Sequence, residues 1–327
     1  MPVFASFVAL SGRILRSNGT RPEWVDDVIG TGMEQGTAFS DSVSATAIPA
    51  VTYSVTSGSL PNGLTLNSST GAITGTPSAG GNYNFTITAS NAVGSVSTSY
   101  TRAVAFPIPS TINYLVVAGG GGVGGPNRAG GGAGAGGMIT ANLSPVQGTS
   151  YSVSVGGAGG NSSGFGTSCT RGGGGGYAGG GGSGGSGGGG WFYYGGGAGT
   201  SGQGRNGGGG GDGNTSSGGG GGKSAEGRHG ASGGGSGSGG AGQSWNGTTY
   251  ATGGGGYHGT RAAGGANSGD GSNAYSGATA GSGRVAFSVA TDTRTPTISS
   301  GLTYTTATSG SNTIYYFNSG SGTVTWN

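Results

Sequence analysis

From roughly Asp27 to Phe106 the chain alternates β-branched or aromatic residues with small polar ones. The short runs are VTYSV at 51–55, LTLN at 64–67, AITGT at 72–76, YNFTITAS at 83–90 and SVSTSYTRAVAF at 95–106. Turn-forming clusters, SGSLPNG, NSSTG and PSAGG, separate them. Period-two alternation punctuated by Gly, Pro, Asn and Ser predicts half-buried strands of an all-β sandwich over 31–106. Ahead of it, residues 1–30 hold an apolar stretch from Val3 to Leu10 and then RPEWVDDVIGTG. Trp24, Val25, Val28 and Ile29 fit one face of a short helix opened by Pro22 and closed by Gly30. That segment reads either as a cap on the sandwich or as an attachment segment that uses Trp24, Val25 and Val28.

Beyond Phe106 the alternation returns only in places. Ile112, Tyr114 and Val116 alternate in a linker and opening strand at 107–118, YSVSV does so at 151–155, and RVAFSVA at 284–290. Near the end, NTIYYFNSGSGTVTWN alternates Ile314 and Tyr316, then Val324 and Trp326, around NSGSG. This predicts a C-terminal β-hairpin segment over 293–327 that turns at NSGSG.

Glycine fills the space between these strands. Most of the 89 glycines of the 327-residue chain fall within a region taken as 119–292, while only 6% of all residues are charged. Disordered chains usually combine high net charge with few apolar residues, but this one carries +3 and is 31% apolar. A block bracketed and punctuated by strands is also not what a flexible linker requires. Ordering a glycine costs about 0.5–1 kcal/mol more than ordering an alanine, and glycine has no side chain whose burial could offset this. The remaining source is the backbone, whose paired amides each contribute about 0.5–1.5 kcal/mol net. Polyproline II helices have three residues per turn and leave their amides free to bond to neighbours, provided that nothing bulkier than glycine keeps them apart. The strict G-X-Y period of collagen is absent, so the sequence predicts a layered bundle of short polyproline II helices with non-glycine residues at the turns. The fold class expected overall is all-β plus polyproline II.

The candidate chemistry lies in those turns. Trp191, Phe192, Tyr193 and Tyr194 are consecutive aromatics at the end of a glycine run, and Tyr177, Trp245, Tyr250, Tyr257, His258 and Arg261 occupy similar positions. Aromatic faces stack on sugar rings and fill protein hot spots, so these ten residues form the candidate receptor or subunit contact. His229 and His258 lack metal-ligand spacing, and no paired carboxylates form a hydrolytic motif; neither a metal, a cofactor nor an enzymatic activity is expected. The G-x-G-x-x-G matches do not open helices after strands, and Arg171-Gly172-Gly173 is an isolated RGG, so nucleotide and nucleic-acid binding are not expected. Cys169 is the one cysteine, read as a structural thiol of a protein made in a reducing cytoplasm. Arg13 and Arg16 follow the N-terminal apolar run instead of preceding it, the wrong order for a signal peptide. No run of about 18 apolar residues occurs, so no membrane insertion is expected.

Two stretches resemble known families. YSVTSGSLPNGLTLNSSTGAITGTPSAGGNYNFTITASNAVGS, with GTAFSDSVSA before it, is similar to the Ig-like, cadherin-like module of bacterial and phage surface proteins. Leu60-Pro61, Gly63-Leu64, Gly71, Ile73-Thr74-Gly75 and Pro77 carry that likeness, which implies a spacer or low-affinity binding unit. Asp26, Asp27 and Asp41 do not form the acidic clusters of calcium-binding cadherins. The opening Tyr114-Leu115-Val116-Val117-Ala118-Gly119 and the GGGGGY at 172–177 resemble the glycine-rich domains of bacteriophage tail-fibre proteins and adhesins. In such fibre proteins a TIYxF…GTVT hairpin often precedes the glycine block, whereas here it follows.

The second resemblance implies a virion structural protein synthesised in the host cytoplasm: a tail fibre or adhesin that recognises a host receptor through turn loops of its glycine-rich domain. The alternative is a head fibre or capsid decoration protein that serves assembly. Partners implied are other virion proteins, a host surface glycan or outer-membrane protein, and further copies of the chain, with a trimer favoured.

Overall fold

A computed structural model of the chain describes residues 19–123, 130–213, 215–257, 267–274 and 279–327. Among the described residues every regular element is a β-strand, and the chain divides into two compact units, Met1–Pro107 and Ile108–Asn327.

The first unit is an Ig-like sandwich. Its strands are β1 (Glu23–Asp26), β2 (Met33–Glu34), β3 (Phe39–Ser42), β4 (Ser44–Thr46), β5 (Thr52–Gly58), β6 (Leu64–Leu66), β7 (Ala72–Gly75), β8 (Gly81–Asn91) and β9 (Gly94–Ala105). One sheet runs β2-β9-β8-β5, a second runs β3-β7-β6, and β1 pairs with β4. The alternation seen in the sequence sets the core. Phe85, Ile87 and Ala89 of β8 face inward with Tyr100 and Val104 of β9, meeting Val43, Leu64 and Ile73. Phe85 and Tyr100 are directly opposite in register and stack with centroids 5.3 Å apart, a cross-strand pair of the kind that stabilises sheets. Gly71 has a φ of +75°, and a Cβ there would overlap the Val43 carbonyl, which explains glycine after NSST in the loop between β6 and β7.

Residues 23–26 form strand β1, not the helix expected from Trp24, Val25, Val28 and Ile29. Alternation explains the difference: Trp24 turns in and stacks over Tyr53 at 6.3 Å, while Val25 is 69% exposed. Ile29 is buried in the same core, and Val28 is exposed. Trp24 is therefore part of the sandwich and is not displayed as an anchor.

The second unit contains β10 (Ile112–Val117), β11 (Met138–Leu143), β12 (Ser150–Val155), β13 (Ser162–Gly164), β14 (Thr167–Cys169), β15 (Gln243–Trp245), β16 (Thr248–Tyr250), β17 (Arg284–Ala290), β18 (Thr297–Ile298), β19 (Leu302–Ser309) and β20 (Asn312–Thr325). Its main sheet follows the order β11-β10-β17-β20-β12-β13-β14, with β18 and β19 also paired to β20. The 14-residue β20 is the spine: β17 and then β12 pair along one edge, β19 and then β18 along the other. The NSGSG expected to turn a hairpin lies inside β20, and the chain reverses instead between Ser309 and Asn312, where Gly310 has a φ of +59°. Partners along the full length of β20 satisfy its ladder, which overrides the local turn preference of Asn318–Gly322.

Both faces of this sheet are covered. On one, Tyr114, Phe287, Phe317 and Trp326 pack with Phe165 and Cys169, because β13 and β14 fold back across β10 and β17. On the other, Leu115, Val117, Ala286 and Ile314 pack with Ala135, Met138, Trp245 and Tyr250.

The glycine runs extend from the sheet as a hydrogen-bonded lattice. The buried run 131–137 shows its rule, because its amides rotate through three neighbours with a period of three residues. Gly131, Gly134 and Gly137 donate to the carbonyls of Gly176, Gly173 and Thr170 at 2.8 Å. Gly132 and Ala135 donate to Gly218 and Gly221 at 3.0 Å, and Ala133 and Gly136 to Ser272 and Gly269 at 3.0 and 2.8 Å. Its carbonyls accept from three other segments. Gly189 and Ser186 bond to Gly132 and Ala135, Gly121 and Ala118 to Gly134 and Gly137, and Gly254 to Ala133. Alanine methyls fit at 133 and 135, but close neighbours leave no room at the adjoining glycines: a Cβ on Gly134 would overlap the Ser186 carbonyl, and one on Gly136 the Ala118 carbonyl. The Gly179–Gly190 stretch forms two runs, not one: Gly188 donates back to Gly182 at 2.9 Å after a bend at Gly185 and Ser186.

Candidate functional site

The hydrogen bonds give the lattice two ends. At one, the runs join the sheet: Ala118 follows β10, Gly137 precedes β11, Thr170 follows β14 and Ala251 follows β16. At the other lie turns reached only through glycine, and these hold most of the aromatic candidates. Gly131 bonds to Gly176, next to Tyr177; Gly176 bonds to Gly189, close to Trp191; and Tyr257 bonds to Gly130. Tyr177, Trp191, Phe192, Tyr193, Tyr194 and Tyr257 thus gather at the far end.

The WFYY turn is fixed by its backbone. Tyr194 donates to the Trp191 carbonyl at 3.0 Å and closes the turn. Neighbouring runs hold it on several sides: Trp191 N–H donates to Gly179, Phe192 N–H to Ser216, and Gly210 N–H to the Tyr194 carbonyl, at 3.1, 3.0 and 2.9 Å. These bonds hold Phe192 at a φ of +53°, a left-handed conformation that bulky residues rarely adopt.

The side chains divide by exposure. Tyr193 is 70% exposed, its ring against Phe192 at 4.2 Å and its hydroxyl donating to the Asp212 carbonyl at 3.3 Å. Tyr177 and Tyr194 are also exposed. Trp191 is half-buried and meets Tyr257 edge-on at 6.4 Å, while Ser217 Oγ accepts from Tyr257 N–H at 2.7 Å. The arrangement is a set of aromatic faces on a stiff support, able to stack on a flat or ring-shaped partner with little ordering on binding.

Two candidates belong elsewhere. Trp245 is 7% exposed and Tyr250 1%, both in the core beneath β10 and β17. The reason is a hairpin that SWNGTTY encodes: Asn246 and Gly247 have φ of 44° and 77°, the left-handed pair that an Asn-Gly turn of type I′ requires. The hairpin folds Trp245 onto the sheet, where its Nε1–H donates to Asn113 Oδ1 at 2.5 Å. Tyr250 meets Arg284, whose guanidinium lies 5.9 Å from the Tyr250 ring and 5.0 Å from that of Tyr316. His258 and Arg261 lie outside the described residues. The supporting groups Ser216, Ser217 and Asp212 were not singled out in the sequence; the only signal there is polar residues interrupting glycine. Among the described residues no group of three His, Cys, Asp or Glu side chains is placed to hold a metal ion.

Residues 27–105 match the family described as "Putative Ig domain". No curated protein matches the chain. Among solved structures, that of "a putative alpha-galactosidase" from Bacteroides fragilis is similar at 24% identity and a TM-score of 0.23, covering 27% of this chain and 20% of that one.

Proposed function

We propose that the glycine region is a bundle of polyproline II helices and that it serves as a rigid scaffold for a recognition surface on a phage tail fibre or adhesin. A polyproline II helix turns once every three residues, so its amides point in three directions in rotation. The rotation of Gly131–Gly137 through three neighbours supports this reading, as does the lack of space for a Cβ at Gly131, Gly132, Gly134 and Gly136, where neighbouring backbone lies in the way.

The observation that carries the functional part is the WFYY turn. Four aromatics, one of them in a left-handed conformation, are held by bonds to three neighbouring segments at the end away from the sheet, with Tyr193 and Tyr194 facing solvent. Burying such side chains would be the economical choice for a part with only an internal role. Their display fits contact with a receptor, whether a host surface glycan or an outer-membrane protein. The Ig-like unit then acts as a spacer between this surface and the particle.

The test is the fourfold change of Trp191, Phe192, Tyr193 and Tyr194 to serine in the particle that carries the chain. Recognition predicts particles with a normal copy number that no longer adsorb to their host. Unassembled particles would instead support the head-fibre or decoration role.

A further inference from the structure

At the sheet-facing end of the lattice a cavity of about 410 Å³ opens between the turn at Ser201 and Gly202, the turn at Lys223 and Ser224, and the start of β15 at Gln243. Two cations line it. Arg205 and Lys223 sit on adjoining segments, since Arg205 N–H donates to the Gly222 carbonyl at 3.0 Å. The Lys223 ammonium places one hydrogen on the Gly202 carbonyl at 2.5 Å and has two more to offer. The single hydroxyl proton of Ser224 is taken up by the neighbouring carbonyls of Gly242 at 2.7 Å and Ala241 at 3.1 Å, which leaves its lone pairs as acceptors. Glu226, the acid of the same turn, accepts from Asn206 Nδ2 at 3.4 Å and does not line the cavity. Like charges side by side without a lining carboxylate make an anion the natural complement. Burial, with Arg205 adding repulsion, holds Lys223 below the usual lysine range, a cost that a bound anion would relieve.

The rest of the lining suits hydroxyl groups. Ser201, Ser224, Gln243 and exposed glycine backbone supply neutral donors and acceptors, and the volume exceeds what a lone inorganic anion fills while lying within the range of small-ligand sites. We propose that this cavity binds an acidic sugar, with its carboxylate or phosphate between Arg205 and Lys223 and its hydroxyls on Ser201, Ser224 and Gln243. The site lies at the opposite end from the aromatic turns and does not depend on the reading given to them.

The experiment is calorimetric titration of the full chain with galacturonate, glucose 6-phosphate, inorganic phosphate and galactose at low salt. Saturable binding of galacturonate or glucose 6-phosphate is expected, at least tenfold tighter than galactose and inorganic phosphate, and the arm that binds identifies carboxylate or phosphate as the source. The Arg205→Gln/Lys223→Gln double variant should weaken it at least tenfold, whereas Lys223→Arg should retain most of it; thermal melting of each variant checks folding. Four outcomes overturn the proposal: no saturable binding of either acidic sugar, equal binding of galactose, equal binding of inorganic phosphate, or undiminished binding by a folded double variant.

Discussion

The amide of Gly134 donates to the carbonyl of Gly173 at 2.8 Å, while the backbone of Ser186 and Gly187 packs against its α-carbon and leaves no space for a side chain. An added methyl group would meet the Ser186 carbonyl and Gly187 backbone, neither of which can rotate away. Gly134→Ala is expected to destabilise the second unit by about 3 kcal/mol or more, at the upper end of overpacking costs. Gly122→Ala, where nothing lies within 4 Å, should change stability by no more than about 0.5 kcal/mol. Denaturant unfolding of the two variants beside the parent checks both expectations.

Trp245 and Tyr193 should behave in opposite ways. Trp245 fills the space beneath Leu115 and Ala286, so Trp245→Ala is expected to cost about 3–5 kcal/mol. Tyr193→Ser removes a ring that is mostly in solvent and should leave stability within about 0.5 kcal/mol. Equal losses in denaturant unfolding would contradict the division between core and displayed aromatics.

Cys169 is buried beside Val116, and its thiol donates to the Val116 carbonyl at 3.2 Å. Burial pushes its pKa up to about 12. The folded protein should therefore react with a thiol reagent at pH 8 only as fast as it opens, and promptly in guanidinium chloride. The sign for stability follows from the same shift. The unfolded thiol loses its proton near pH 9 and the folded one near 12, so between those values the folded state holds more protons. This contribution to stability is fully present below about pH 9 and is lost as pH rises toward 12. Cys169→Ser should flatten that part of the pH–stability curve.

The strands were legible where side chains alternate. VTYSV, YNFTITAS, the run at 112–117 and RVAFSVA all became strands, because their period of two fixes which face is buried. Trp24 and Val25 were misread because a four-residue strand and one turn of helix leave similar apolar traces, and pairing with β4 decides between them. Asn246-Gly247 is a legible hairpin turn, but an aromatic beside glycine looks the same in sequence whether its hairpin folds it onto the sheet, as with Trp245, or a turn displays it, as with Tyr193. The order of the lattice was not legible at all. Gly134 bonds to Gly173 and Ala135 to Gly221, yet glycine carries no side chain to say which run lies beside which. The strands and turns that deliver each run set that order. Of the candidate site, the far-end aromatics could be read from sequence, whereas the Arg205–Lys223 cavity could not, since its lining residues come together only through the lattice.

Amide hydrogen exchange across residues 131–137 separates an ordered glycine lattice from a flexible linker. A hydrogen-bonded glycine lattice predicts that all seven consecutive amides exchange slowly, since each has a carbonyl partner in another segment. Exchange of the run at the rates of an unstructured glycine peptide, while β10 and β20 stay protected, would contradict it and return the glycine region to the status of a linker.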